Sequence, residues 1–177
     1  MHFYRRPVAS LACSLLLAVT SFAQQGGAMP SPAETANVSL TGGSITVKYG
    51  APSMRGRKIM GDLVPYDKVW RTGANEATAF ATNTNLKIGG TAVPAGTYTL
   101  YTGPGASKWL LIVNKQTGQW GTVYNQDQDL ARIPMKVSKL SSPQEKMSIT
   151  FENTKGNSTE MHVKWENTDA SVVITAQ

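Results

Sequence analysis

MSITFENTKGNSTEMHVKW, residues Met147–Trp165, is the stretch that decides the fold. Met147, Ile149 and Phe151 alternate with Ser148, Thr150 and Glu152, and Met161, Val163 and Trp165 alternate with Glu160, His162 and Lys164. Successive side chains of a strand point to opposite faces, so each run buries one face and wets the other. Further along, Ser171 to Thr175 is β-branched and again suits a strand. Upstream, Trp109 to Val113 is apolar at every position, which predicts a central strand covered on both sides. Strands are also predicted at Thr97–Thr102, Leu86–Ile88 and Thr78–Thr82, and a hairpin joins Val38–Leu40 to Ile45–Tyr49 through Thr41-Gly42-Gly43. Beyond the N-terminal segment, no run of helical period with caps appears. Many short strands punctuated by Gly and Pro predict an all-β, antiparallel β-sandwich, jelly-roll-like or a partly open barrel.

The N-terminal segment reads differently. Arg5 and Arg6 precede an apolar run from Val8 to Val19 and then Ser21-Phe22-Ala23, the order of a secretory signal peptide over 1–23. Pro7-Val8 departs from a twin-arginine signal. Cys13 lies ahead of most of the apolar run, where a lipoprotein signal has its cysteine behind, so Cys13 is expected to leave with the signal. Residues 24–35, rich in Gln, Gly, Pro, Ser and Ala, are expected to be a flexible spacer, and 36–177 a single β-sandwich domain. The expected address is periplasmic or secreted, with no transmembrane segment after signal cleavage. Loss of Arg5 and Arg6 lowers the formal charge from +6 to +4 and leaves 154 of 177 residues without cysteine. A chain of that length buries about 68–70% of its unfolded surface and needs no disulfide or metal for stability. Its cations are scattered singly except at Arg55, Arg57 and Lys58, which argues against nucleic acid as a partner.

Between the strands ending near Tyr49 and beginning near Thr78 runs a connection, 50–77, far longer than the two to five residues of a usual hairpin loop. It contains Ile59, Leu63, Val64, Val69 and Trp70, so it is expected to pack on the sheet as an ordered loop. The string APSMRGRKIMGDLVPYDKVWRTGANEAT, with VPAGTYTLYTGPG, KWLLIVNKQTGQWG and VKWENT further on, resembles the bacterial exported family catalogued as domain of unknown function twenty-nine eleven. The resemblance covers nearly the whole mature chain. It implies a bacterial envelope protein, and it implies no activity, substrate or catalytic residue.

The same loop gathers the candidate site residues Arg55, Arg57, Lys58, Arg71, Asn75 and Glu76. Arg71 is able to orient a Glu76 carboxylate or grip an anion bidentately, with the Asn75 amide beside it. The competing and preferred expectation is an Arg71–Glu76 ion pair that fixes the loop to the sheet. Arg55, Arg57 and Lys58 around Gly56 either cradle an anion or form a solvated basic turn. Trp120, in a turn-like Thr117–Gly121 context, either stacks on a sugar or closes one end of the core, and Tyr66 and Tyr124 share that ambiguity. His162 lacks a second histidine or a cysteine, so no metal is expected there. Asn125, Asp127 and Asp129 imitate a calcium loop, yet Leu130 and Lys136 occupy its glycine and glutamate positions. No motif asks for a cofactor.

Three functions follow from these residues. The leading one is a non-enzymatic module binding a small anionic or glycan ligand, or another envelope component, on the surface made by the 50–77 loop. The second is a hydrolase or isomerase using Glu76 as acid or base oriented by Arg71. The third is a purely structural envelope protein.

Overall fold

The computed structural model describes Met1, His2 and residues 31–177. The expected signal peptide and most of the expected spacer lie outside the described residues. Nine strands follow in order: β1 (Ala33–Leu40), β2 (Gly43–Gly50), β3 (Ala74–Thr82), β4 (Leu86–Ile88), β5 (Thr91–Val93), β6 (Gly96–Pro104), β7 (Trp109–Asn114), β8 (Asp129–Lys155) and β9 (Ser158–Ala176). They pair in the order β1-β2-β3-β6-β7-β8-β9-β4-β5, every neighbour antiparallel, in one open sheet. The all-β antiparallel expectation holds, and the sheet does not close into a barrel. The single 3-10 turn, Gln126–Gln128, is the one helical element among the described residues. No described helix is long and apolar enough to cross a membrane.

The sheet becomes sandwich-like because its two longest strands bend. The first part of β8 pairs with β7 and with the far part of β9 (Lys136 opposite Ser171), and its second part pairs with the near part of β9 (Ile149 opposite Val163). Register shifts between Lys139 and Ser148 mark the bend. Beyond it, the hairpin lies over β1 and β2: Ile149 N donates to Tyr49 Oη at 3.0 Å, and Met147 N donates to Pro52 O at 2.8 Å. One core results. Ile45, Val47, Phe80, Leu100, Leu111, Val113 and Ile133 supply one layer, and Met147, Ile149, Met161, Val163 and Trp165 the other.

The start of β1 at Ala33 moves the edge of the folded region into the stretch expected as spacer. Ala51 N donates to Pro32 O and Asn75 Nδ2 to Ser31 O, so these small and polar residues are held by backbone bonds rather than by apolar packing.

The long connection is ordered, as its apolar content requires. Ile59, Met60 and Val64 are buried in a tight turn in which Gly61 N donates to Val64 O and Val64 N to Ile59 O. Both carboxylate oxygens of Glu166 accept backbone amides of this turn, from Ile59 at 3.1 Å and Met60 at 3.0 Å. Trp70 exchanges two backbone bonds with Thr102 and stacks on Trp165 with ring centroids 5.9 Å apart, while Trp109 meets its edge at 6.3 Å. Leu63 and Val69, expected inside, remain exposed, because the turn needs only Ile59, Met60 and Val64 to seal the core.

Glu166 replaces the solvation that these two loop amides lose, and among the described residues no other group accepts from them. Charge-assisted bonds of this kind contribute about 1.5–3 kcal/mol each. Glu166→Ala is expected to lower unfolding stability by about 2–4 kcal/mol, a sum reduced by partial water access to the freed amides. Urea denaturation followed by the Trp70–Trp165 fluorescence measures it.

Candidate functional site

Strand β3 does not run evenly beside β2. Lys48 lies opposite Ala79, but Gly50, two residues on, lies opposite Ala74, so β3 carries three extra residues at this place. The excess is a bulge. Thr72 (φ 54°), Gly73 (φ 154°) and Asn75 (φ 64°) turn the chain through left-handed conformations. Asparagine tolerates that region and a β-branched threonine does not. Thr72 is held there by burial, by its hydroxyl bond to Thr102 Oγ1, and by Thr78 Oγ1 donating to Thr72 O at 2.9 Å. Glycine is required at Gly50, where a Cβ would lie 2.2 Å from Ala74 O.

The bulge pairs with another loop instead of with β2. Ala77 N donates to Gln119 O at 3.1 Å and Gly121 N donates to Asn75 O at 3.0 Å, which sets Glu76 directly opposite Trp120 in an antiparallel bridge. Residues directly opposite in such a pair project to the same side. Both are exposed, Trp120 at 53%. Arg71 packs its stem against Gly121, where a Cβ would come within 2.5 Å of Arg71 Cδ. It borders a hollow of about 200 Å³ with Tyr101, Thr122 and Tyr124. On the other side, Glu76, Asn75, Ala77 and Ala79 line a second hollow of about 220 Å³ with Lys48 and Glu34.

The loop that presents Trp120, residues 115–128, covers the outer face of β6–β8. Its support is polar. Tyr124 Oη donates to Asp129 Oδ2 at 2.6 Å and accepts from Arg132 Nη2 at 2.6 Å, and Arg132 Nε reaches the same carboxylate at 2.8 Å. Asn114 Nδ2 bonds the other Asp129 oxygen and Asn125 O, both at 2.8 Å. Tyr101 Oη donates to Val123 O at 2.6 Å and accepts from Gln119 Nε2 at 3.0 Å. Burial, then the hydrogen bond and the negative charge of Asp129, push the Tyr124 hydroxyl up to about 12. Burial also raises Tyr101, against the opposing Gln119 bond.

The candidate residues are therefore distributed as follows. Arg71, Asn75, Glu76 and Trp120 come together around the bulge. Arg71 and Glu76 form no ion pair: Arg71 Nε donates to Gly73 O at 3.1 Å, and the described ion pairs do not include either residue. The bulge swings Glu76 outward, which is why the expected pair does not form. Asn75 reaches Ser31 O at 3.1 Å. Arg57 spends its guanidinium on Met54 O at 2.9 Å and Ser53 O at 2.8 Å, closing its own turn, while Arg55 N bonds Glu145 Oε1. Arg55 and Arg57 edge a separate hollow with Ser31 and Ser53; Lys58 is exposed and does not line it. Tyr66 is 40% exposed, and Tyr124 is half-buried in its network with Asp129 and Arg132.

A family model described as Protein of unknown function (DUF2911) matches residues 31–174. The chain belongs to this family. No curated protein and no solved structure matches it. Within this DUF2911 chain, the string RTGANEAT is the bulge itself, from Arg71 to the Thr78 hydroxyl that holds it. The sequence drew attention to this string through its charges; the bulge geometry and the Tyr101–Asp129 network had no period or spacing to announce them.

Two outcomes follow. In a thermodynamic cycle, Arg71→Ala and Glu76→Gln are expected to be additive within about 0.5 kcal/mol, since no contact couples them; urea unfolding of the single and double variants checks this. Tyr124 is neutral in the folded state to a higher pH than when unfolded, so its contribution is complete below about pH 10 and disappears as pH rises through about 12. Absorbance titration near 295 nm is expected to lose its highest-titrating component in Tyr124→Phe.

Proposed function

We propose that the protein is a non-enzymatic binding module of the bacterial envelope, and that it holds a saccharide on the surface made by Trp120, Glu76 and the Arg71–Thr122–Tyr124 hollow. The observation that carries this reading is the exposed Trp120 ring standing opposite an exposed carboxylate on a bulge braced from both sides. An indole face takes the apolar C–H face of a sugar ring, and a carboxylate, a guanidinium and a hydroxyl beside it suit the ring's hydroxyl groups. The hollows flanking it are shallow, at about 200 and 220 Å³, which favours an extended polymer lying across the surface over a small substrate enclosed in a pocket. Export through the N-terminal signal would bring the module to such polymers.

The hydrolase reading draws less from the geometry. Glu76 is exposed and lacks the oriented Arg71 partner, so nothing desolvates or positions it as an acid or base. The structural reading accounts for Arg57 and for the packed turn at Ile59–Val64, and it leaves Trp120 exposed for no purpose.

Trp109 and Trp165 are buried and Trp70 is partly so, which makes Trp120 the indole most open to a soluble quencher. Acidic and neutral envelope oligosaccharides are expected to reduce acrylamide quenching. Trp120→Ala is expected to weaken binding about tenfold or more, equivalent to roughly 1.4 kcal/mol, with unfolding stability changed by less than about 0.5 kcal/mol. Saccharide affinity that survives Trp120→Ala unchanged, or no retention of any of these glycans, would overturn the proposal.

A further inference from the structure

On the face of the β8–β9 hairpin turned away from the core, His162 is 7% exposed. Its Nδ1 lies 2.8 and 3.0 Å from the two Asp169 oxygens. An ionised carboxylate only accepts, so Nδ1 carries a proton, and Nε2 presents its lone pair unless it takes a second proton. That Nε2 is buried and has no hydrogen-bond partner. What it faces is two carboxylates, Glu160 Oε2 at 3.4 Å and Glu152 Oε2 at 3.8 Å. A lone pair aimed between anionic oxygens is repulsive unless a cation sits among them.

We propose that His162 Nε2, Glu160 and Glu152 bind one divalent transition-metal cation of the zinc type, with Asp169 orienting the imidazole.

The geometry separates a metal from a proton. A proton on Nε2 would need an acceptor along the N–H axis, and Glu160 Oε2, though 3.4 Å away, accepts no hydrogen bond from it. Two ligands of one tetrahedral zinc, each about 2.1 Å from the ion, lie off one another's axes and about 3.4 Å apart. Glu152 is prepared for the same task. Lys164 Nζ at 2.5 Å and Thr150 Oγ1 at 2.7 Å both hold its Oε1, which leaves Oε2 toward the imidazole. Asp169, Glu152 and Glu160 against the single Lys164 ammonium leave two negative charges, which a divalent ion balances. A carboxylate behind a ligating histidine is the common outer partner of such sites.

The described residues hold no three such groups already closed around one point. Binding therefore draws the Glu160 side chain, 38% exposed and bonded by Asn153 Nδ2 at 3.3 Å, toward the Glu152 Oε2 that Lys164 and Thr150 hold in place. Because Asp169 lies beyond the bend of β9 and the three ligands lie before it, the ion would brace the bent hairpin.

The test uses the full chain, freed of metal by chelator and titrated with Zn²⁺ by calorimetry, with Co²⁺ absorption as a reporter of tetrahedral coordination. One equivalent of zinc and a raised Tm are expected. Glu160→Gln is expected to weaken binding tenfold or more, His162→Gln to abolish it, and Asp169→Asn to weaken it about 10–100-fold. Glu160 is partly exposed, so its variant keeps the test meaningful if the His162 variant fails to fold. Absence of zinc binding would overturn the proposal. So would binding undiminished in Glu160→Gln and His162→Gln, which would put the ion elsewhere, on His2 or Cys13 for instance.

Discussion

A straight strand of 27 residues, the length of β8, would run about 90 Å at roughly 3.3 Å per residue, in a domain whose radius of gyration is expected near 15 Å. The chain can bury β8 and β9 only by bending them, and the bend between Lys139 and Ser148 governs the rest of the molecule. It turns one sheet into two layers. It also uses the alternation of Met147–Phe151 and Met161–Trp165 to close the core over β2 without a second, separate sheet. Because the two strands bend together, their cross-strand pairs survive on both sides of the corner, and the backbone cost is confined to a few irregular residues such as Glu166, at φ 53°.

Those irregular residues are reused. Glu166 stands where β9 leaves regular pairing, and its carboxylate is thereby free to take the amides of Ile59 and Met60. That contact seats the long connection, which delivers Trp70 to Trp165 and Trp109. The connection then enters β3 by way of the bulge at Thr72–Ala77. Each step supplies the geometry that the next one needs, so the distant Trp120–Glu76 surface rests on the corner of β8–β9.

What the sequence made legible was whatever depends on period. The strands with clean alternation, the hairpin at Gly42-Gly43 and the Trp109–Asn114 strand, buried at every position but Leu110, are where reading placed them. The first part of β8 was not legible, since Pro134 interrupts its pattern, yet Ala131, Ile133 and Met135 carry one face to the core. The continuity of β9 through Glu166 was hidden for a similar reason: the irregularity resets which residues face inward. His162 shows the limit most clearly. Alternation assigned it to a wet face, and the bend then folded Asp169 back onto that face and buried it.

The candidate site follows the same logic. Thr72, Gly73 and Asn75 hold backbone conformations that a plain strand would avoid, and such strain persists only where the surroundings over-determine it. Here they do so at length, through the Thr72 and Thr78 hydroxyls, the missing side chains at Gly50, Gly73 and Gly121, and the Asn75 bond to Ser31. A structural purpose alone would be met more cheaply by an even β2–β3 register, which needs no bulge, no threonine at positive φ and no closely approached glycine. What the bulge adds is a pairing with Gln119–Gly121 that holds Glu76 and Trp120 side by side in solvent. The arrangement is rigid in its backbone and open in its side chains. That combination suits recognition of a ligand lying across the surface, because little ordering remains to be done when it binds.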